Sequence, residues 1–158
     1  MDAETGEASG EAIELRDSRQ LQVTESRPRP RGYLLAPQAR SAIEALEIKG
    51  IHLCAAAPQT AATEAFHVTR TEPITRQTRE ASTLTEALQV RLEARDVAVG
   101  DGWIWVPMHQ AGSSVIAASL EPDSVGSHVH VGLVPVGEDG IAPVYRVVQS
   151  TPRTIGPC

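Results

Sequence analysis

The sequence predicts a single α/β or α+β domain, a mixed β-sheet with two short helices behind a flexible acidic N-terminal tail. Three observations carry that expectation. The 158 residues fit one domain of ordinary size, long enough to bury a core without help from metals or disulfides. Apolar residues alternate with period two in several stretches, recur with the helical period over 38–49 and form a small-residue run over 112–120. Gly and Pro fall between those stretches, where breaks are needed.

Residues 1–12 are acidic, contain Gly and lack periodicity, so they read as a disordered tail. Residues 13–31 read as an extended linker or edge segment: Ile13-Glu-Leu-Arg and Leu21-Gln-Val alternate, and Arg27-Pro-Arg-Pro30 forces extended backbone. The domain proper spans 32–150, and 151–158 form a C-terminal tail. Within it, Tyr33-Leu34-Leu35 is a short buried strand stopped by Pro37. Residues 38–49 are a helix directing Ala39, Ala42, Ile43, Leu46 and Ile48 towards a core and ending at Gly50. Residues 51–55 return as a strand, and strand–helix–strand implies a parallel pair.

Phe66-His-Val-Thr-Arg70 is a further strand, and the polar residues 71–84 read as a long exposed connection. Residues 87–99 alternate as a long half-buried strand. Gly100-Asp-Gly102 is a turn from which Trp103-Ile-Trp-Val106 pairs back as a hairpin. Residues 112–120 form a small-residue helix with Ser113 or Ser114 as its cap. Two last strands fall at 128–134 and 144–148.

Composition excludes some classes of function. A formal net charge of -6 and an aromatic content of 3% argue against nucleic-acid binding. Seven acids (Asp2, Glu4, Glu7, Glu11, Glu14, Asp17, Glu25) face two bases (Arg16, Arg19) in residues 1–25. The run Arg27, Arg29, Arg31 reads first as a solvated linker, with contact to nucleic acid or lipid as the alternative. The acidic start lacks the apolar core of a signal peptide, and no stretch is long enough to span a membrane, so a soluble chain is expected. Cys54 reads as a small buried hydrophobe and Cys158 as part of a mobile end, unpaired.

The search for chemistry yields little. No His-Glu-x-x-His helix and no Gly-x-Ser-x-Gly elbow occurs. Nothing beside Cys54 would activate a thiol. His128 and His130, placed i and i+2 on a strand, would share a face and are the candidate metal pair, with His67 or His109 as a third ligand. Trp103 and Trp105 share a face in the same way. They are core if that face is covered and an interface if it is exposed. Gln110 and Glu121 bracket the second helix, where terminal hydrogen bonding is their expected task.

Two patches are distinctive. Arg29-Pro-Arg-Gly-Tyr-Leu-Leu-Ala-Pro37 is one, followed by a helix ending at Lys49-Gly-Ile51 and by Phe66-His-Val-Thr-Arg70. The other is Val99-Gly-Asp-Gly-Trp-Ile-Trp-Val-Pro-Met-His-Gln110 with Ser119-Leu-Glu-Pro-Asp-Ser124. Together they resemble the C-terminal, non-catalytic domain of bacterial zinc carboxypeptidase-like proteins. The chain departs from that pattern at Ala111, where the family has Pro, and matches only loosely over 125–148. The family's zinc and general-base motifs are absent from this sequence. The resemblance therefore implies a non-enzymatic accessory domain without a cofactor, partnered by a catalytic carboxypeptidase domain or by a second copy. Trp103, Trp105, Arg29 and Arg31 are the interface candidates. The alternative is a stand-alone metal- or ligand-binding protein centred on His128 and His130.

Overall fold

The computed structural model describes residues 26–77, 82–124 and 126–158, so the expected acidic tail and the alternating segments at 13–23 lie outside the described residues. Six strands and two helices follow in the order β1 (Gly32–Leu35), α1 (Arg40–Ile48), β2 (Cys54–Ala55), β3 (Gln59–Gln77), β4 (Ser82–Val99), β5 (Ile104–Pro107), α2 (Ser113–Leu120) and β6 (Ile141–Val147). A 3₁₀ turn, Pro37–Ala39, leads into α1. The fold is α+β. All the strand pairings are antiparallel, in the order β2-β5-β1-β6-β3-β4.

The expected strand–helix–strand unit is present but split. β1 and β2 both pair with β5, so they run parallel to each other with β5 inserted between them. The expected β4–β5 hairpin is also replaced. Gly100 to Gly102 do turn the chain, yet β5 leaves β4 and pairs with β1 and β2 instead. The polar residues that read as a connection after Arg70 continue β3 to Gln77, and β4 begins at Ser82.

Connection lengths force the sheet to curl. β2 and β3 stand four positions apart, roughly 19 Å in a flat sheet. Only Ala56, Ala57 and Pro58 separate their ends, a reach of about 14 Å at most. β4 and β5 are likewise four positions apart, joined by residues 100–103. A flat sheet cannot satisfy both links, so its two ends bend towards each other.

Curling gives the sheet two unlike faces, which period two fills separately. On the convex face, Tyr33, Leu35, Phe66, Val68, Val106 and Val144 pack with Leu46 of α1 and Ile116 and Leu120 of α2. On the concave face, Leu34, Cys54, Ala61, Val97, Val99, Trp105 and Val147 meet one another. Gly32 must be glycine here, because a Cβ would collide with the Trp105 ring and the Val106 carbonyl. In β6, Pro143 cannot donate to a ladder, and the β3–β6 register slips between Ala65 and His67 opposite it.

α1 buries Ala42 and Leu46, with Ala39 buried just ahead of it, but Ile48 is 88% exposed, contrary to the expected inward position. One turn past Leu46 the chain is already leaving the helix through Lys49 and Gly50, whose φ of 71° suits glycine. The end of the chain is also better held than its sequence suggests. Ala56 bridges Thr154, Ile155 N donates to Ala55 O at 2.8 Å, and Ala57 N donates to Arg153 O at 2.9 Å. Cys54 and Cys158, expected to be unpaired, form a disulfide with Cα atoms 5.6 Å apart.

Candidate functional site

Three strands bring the first polar cluster together. The registers Tyr33↔Arg146 and Glu64↔Arg146 align Tyr33, Arg146 and Glu64 side by side across β1, β6 and β3, on the convex face. Arg146 is 1% exposed, in a strand whose other residues are mostly apolar. A buried guanidinium is tolerated only when its charge and its donors are answered. Nη1 binds Glu64 Oε2, Nη2 donates to the Pro28 carbonyl, and Nε faces Glu121 Oε1 at 3.2 Å without hydrogen-bond alignment.

Glu121 is the hub of this cluster. Immediately after α2, it accepts the Tyr33 hydroxyl at 2.8 Å and faces Arg27 at 3.3 Å, while Asp123 takes Arg27 at 2.7 Å. Burial, with the Glu121 carboxylate alongside, holds the Tyr33 phenol far above its ordinary range, so it remains a donor. The side chains of Tyr33, Arg146, Arg27 and Glu121 share a cleft of about 430 Å³ with Ser113 and Ser114. Neither serine caps α2. Gly112, with φ of 81°, occupies the N-cap, and no side chain bonds there. Glu121 thus closes the helix terminus as expected, its N–H donating to Ala117 O at 2.9 Å, while its carboxylate joins the strands to the helix layer.

Gln110, by contrast, departs from its expected task. Its side chain clamps the backbone of His52, accepting from His52 N at 2.7 Å and donating to His52 O at 3.0 Å, and donates to Pro107 O at 2.7 Å. It fastens the approach to β2 onto the end of β5.

The tryptophans share a face as predicted, and that face is the concave interior. Trp105 is 1% exposed, which removes it as an interface residue of the folded chain. Trp103 is half-buried and stacks on Tyr145 with ring centroids 5.5 Å apart. Arg29 and Arg31 are exposed and line a second cleft with His109. Arg29 donates to Met108 O at 2.9 Å.

The histidine pair does not sit on a strand. Residues 127–134 are a series of turns held by His128 N to Ser119 O at 2.7 Å, His130 N to Ser127 Oγ at 3.1 Å and Leu133 N to His128 O at 2.8 Å. The Ser127 side chain and the Ser119 carbonyl take the backbone donors that a strand would give to a neighbour. His128 is buried, and burial, followed by the nearby Lys49 charge, lowers its pKa. Among the described residues, neither His128 nor His130 joins a group of three metal-ligating side chains.

Sequence reasoning passed over Arg146 and Glu64. An arginine inside Val144-Tyr-Arg-Val147 was the available signal, since a charge at an inward position of an apolar strand requires a buried partner.

Among the described residues, no helix is long and apolar enough to cross a membrane. Comparison with protein-family models, with curated proteins and with solved structures gives no match.

Proposed function

We propose that this chain is a non-catalytic accessory domain that docks against a zinc carboxypeptidase-type catalytic domain. One observation carries the reading. The two distinctive patches, remote in sequence, interlock in the structure. Tyr33 and Arg29 of the first bond to Glu121 and Met108 of the second, and Gln110 of the second clamps His52 just beyond Ile51. Their polar residues hold the scaffold together. Such use fits a docking module whose pattern is kept for shape.

The helix layer supplies a surface for docking. Ile48, Val115, Val131 and Leu133 are exposed large apolar side chains on α1, on α2 and in the turns behind them. Those segments are tied together by Lys49 Nζ to Ser119 Oγ at 3.1 Å and His128 N to Ser119 O at 2.7 Å. Exposed apolar side chains carried on such a layer suit a partner surface. The exposed Arg29 and Arg31 offer a separate basic rim.

The test is a pull-down with the tagged chain from its source lysate, with bound proteins identified by mass spectrometry. A zinc carboxypeptidase catalytic chain is expected in the wild-type eluate and not with Val131→Asp/Leu133→Asp. An eluate without such a chain overturns the reading.

A further inference from the structure

We propose that Cys54, Cys158 and His52 form a binding site for a thiolate-preferring divalent metal ion, Zn²⁺ above all, once the disulfide is reduced. The same three residues thus hold either a covalent link or a metal ion, according to the thiol redox state.

The segments that carry the ligands are held beside one another by bonds besides the sulfur–sulfur link. Cys54 lies on β2, the edge of the sheet, and pairs with Trp105 on β5. The segment that carries Cys158 is held beside β2 by the Ala56–Thr154 bridge, by Ile155 N to Ala55 O and by Ala57 N to Arg153 O. The Gln59 side chain adds two bonds across the same seam, donating to Arg153 O at 2.9 Å and accepting from Arg153 N at 3.1 Å. His52, two residues before Cys54, is fixed through its backbone by Gln110. Its imidazole is therefore carried on a clamped backbone and is free of that clamp's bonds.

The chemistry of the set is that of a zinc site. One nitrogen of His52 and the two sulfurs all lie within 4.8 Å of one another. Tetrahedral zinc, with bonds of about 2.3 Å to sulfur and 2.0–2.1 Å to nitrogen, sets ligand atoms roughly 3.5–3.8 Å apart. Rotamer adjustment covers that difference. Two thiolates neutralise the dication, imidazole is the third ligand, and water completes the tetrahedron. Cys54 is 6% exposed, whereas His52 and Cys158 are exposed, so the ion has an open path of entry.

A dithiol reductant can drive the switch. A reductant thiolate attacks the exposed Cys158 sulfur and Cys54 leaves as thiolate. The second reductant thiol then displaces Cys158 as thiolate. The reductant ends as its own disulfide, and its two protons pass to solvent. The metal ion binds the two thiolates and the neutral imidazole, and its presence opposes re-oxidation.

The experiment uses the full chain, reduced with a phosphine, desalted without oxygen and titrated with Co²⁺ as the probe. One Co²⁺ per chain is expected, with thiolate-to-cobalt charge-transfer absorption that Zn²⁺ abolishes. The oxidised chain should give no such band. Exposed His52→Gln keeps the backbone clamp and should raise the Co²⁺ Kd by at least about tenfold, the floor set by losses of mere outer partners. Cys158→Ser should lose the band. No band in the reduced chain, His52→Gln titrating like wild type, or binding only by a chain that far-UV circular dichroism shows to be unfolded would each overturn the assignment.

Discussion

The convex and concave faces of the sheet bury side chains from the same strands, yet they are closed by different means. Leu35 and Leu34, Val106 and Trp105, and Val144 and Tyr145 are neighbours in sequence and opposites in environment. The convex face is covered by secondary structure: α1 and α2 lay Leu46, Ile116 and Leu120 over it. The concave face meets only itself, through the curl imposed by the short β2–β3 and β4–β5 links. Small residues line much of it, Trp103 and Tyr145 pack half-buried against it, and the fully buried Trp105 ring fills the space that remains. Many interchangeable aliphatic contacts hold the first face, and a few irreplaceable ones hold the second.

The sharpest way to break this contrast is to remove the ring. Trp105→Ala deletes the largest fully buried side chain from a face with no helix to collapse into the void. A loss of about 3–5 kcal/mol is expected in urea denaturation, near the top of the range for core truncations. Val106→Ala, its neighbour on the convex face, should cost much less. Equal costs would mean that the concave face repacks as readily as the other.

The convex face has one weak point of its own, the charge cluster at Arg146. Arg146→Leu leaves Glu121 and Glu64 without their shared guanidinium. The expected loss is about 3 kcal/mol, at the low end for broken buried pairs, because Glu64 is 36% exposed and Arg27 still faces Glu121. The double variant Arg146→Leu/Glu121→Leu should recover part of that loss, which a double-mutant cycle in urea measures. Additive losses would show that the cluster acts only by filling space.

These two regions were unequally legible in the sequence. Local pattern sufficed for β1, for both helices and for the turn at Gly100 to Gly102, because apolar patterning and Gly or Pro breakers act over a few residues. Pairing was not legible. Nothing local says that β5 passes between β1 and β2, since that order is decided by how the curled sheet buries Trp105. Alternation misled at residues 127–134, where His, Val, His and Val follow one another as in a strand. There the Ser127 hydroxyl and the Ser119 carbonyl bind the backbone donors and hold it in turns. The charge cluster was half visible, with Glu121 noticed for its place after a helix and Arg146 hidden among apolar neighbours. The Cys54–Cys158 link spans a sequence separation of 104 and has no local signature.

The smallest effect separates the faces by what each responds to. If thiol chemistry acts on the concave side, through Cys54, a proton acts on the helix layer, through His128. Its ring is buried, its Nδ1 has no hydrogen-bond partner among the described residues, and Lys49 lies near enough to repel a second positive charge. Burial first, and Lys49 second, lower its pKa below the ordinary 6.5. In the unfolded chain the ring takes up its proton near 6.5, so below that pH the unfolded state binds more protons than the folded one. Stability from neutral His128 is therefore fully present above pH 6.5 and drains away as pH falls from there towards the folded value. Wild-type melting temperature should drop between pH 7 and pH 5, and His128→Gln should flatten that slope. A His128→Gln slope matching wild type would overturn the assignment of the acid sensitivity to His128.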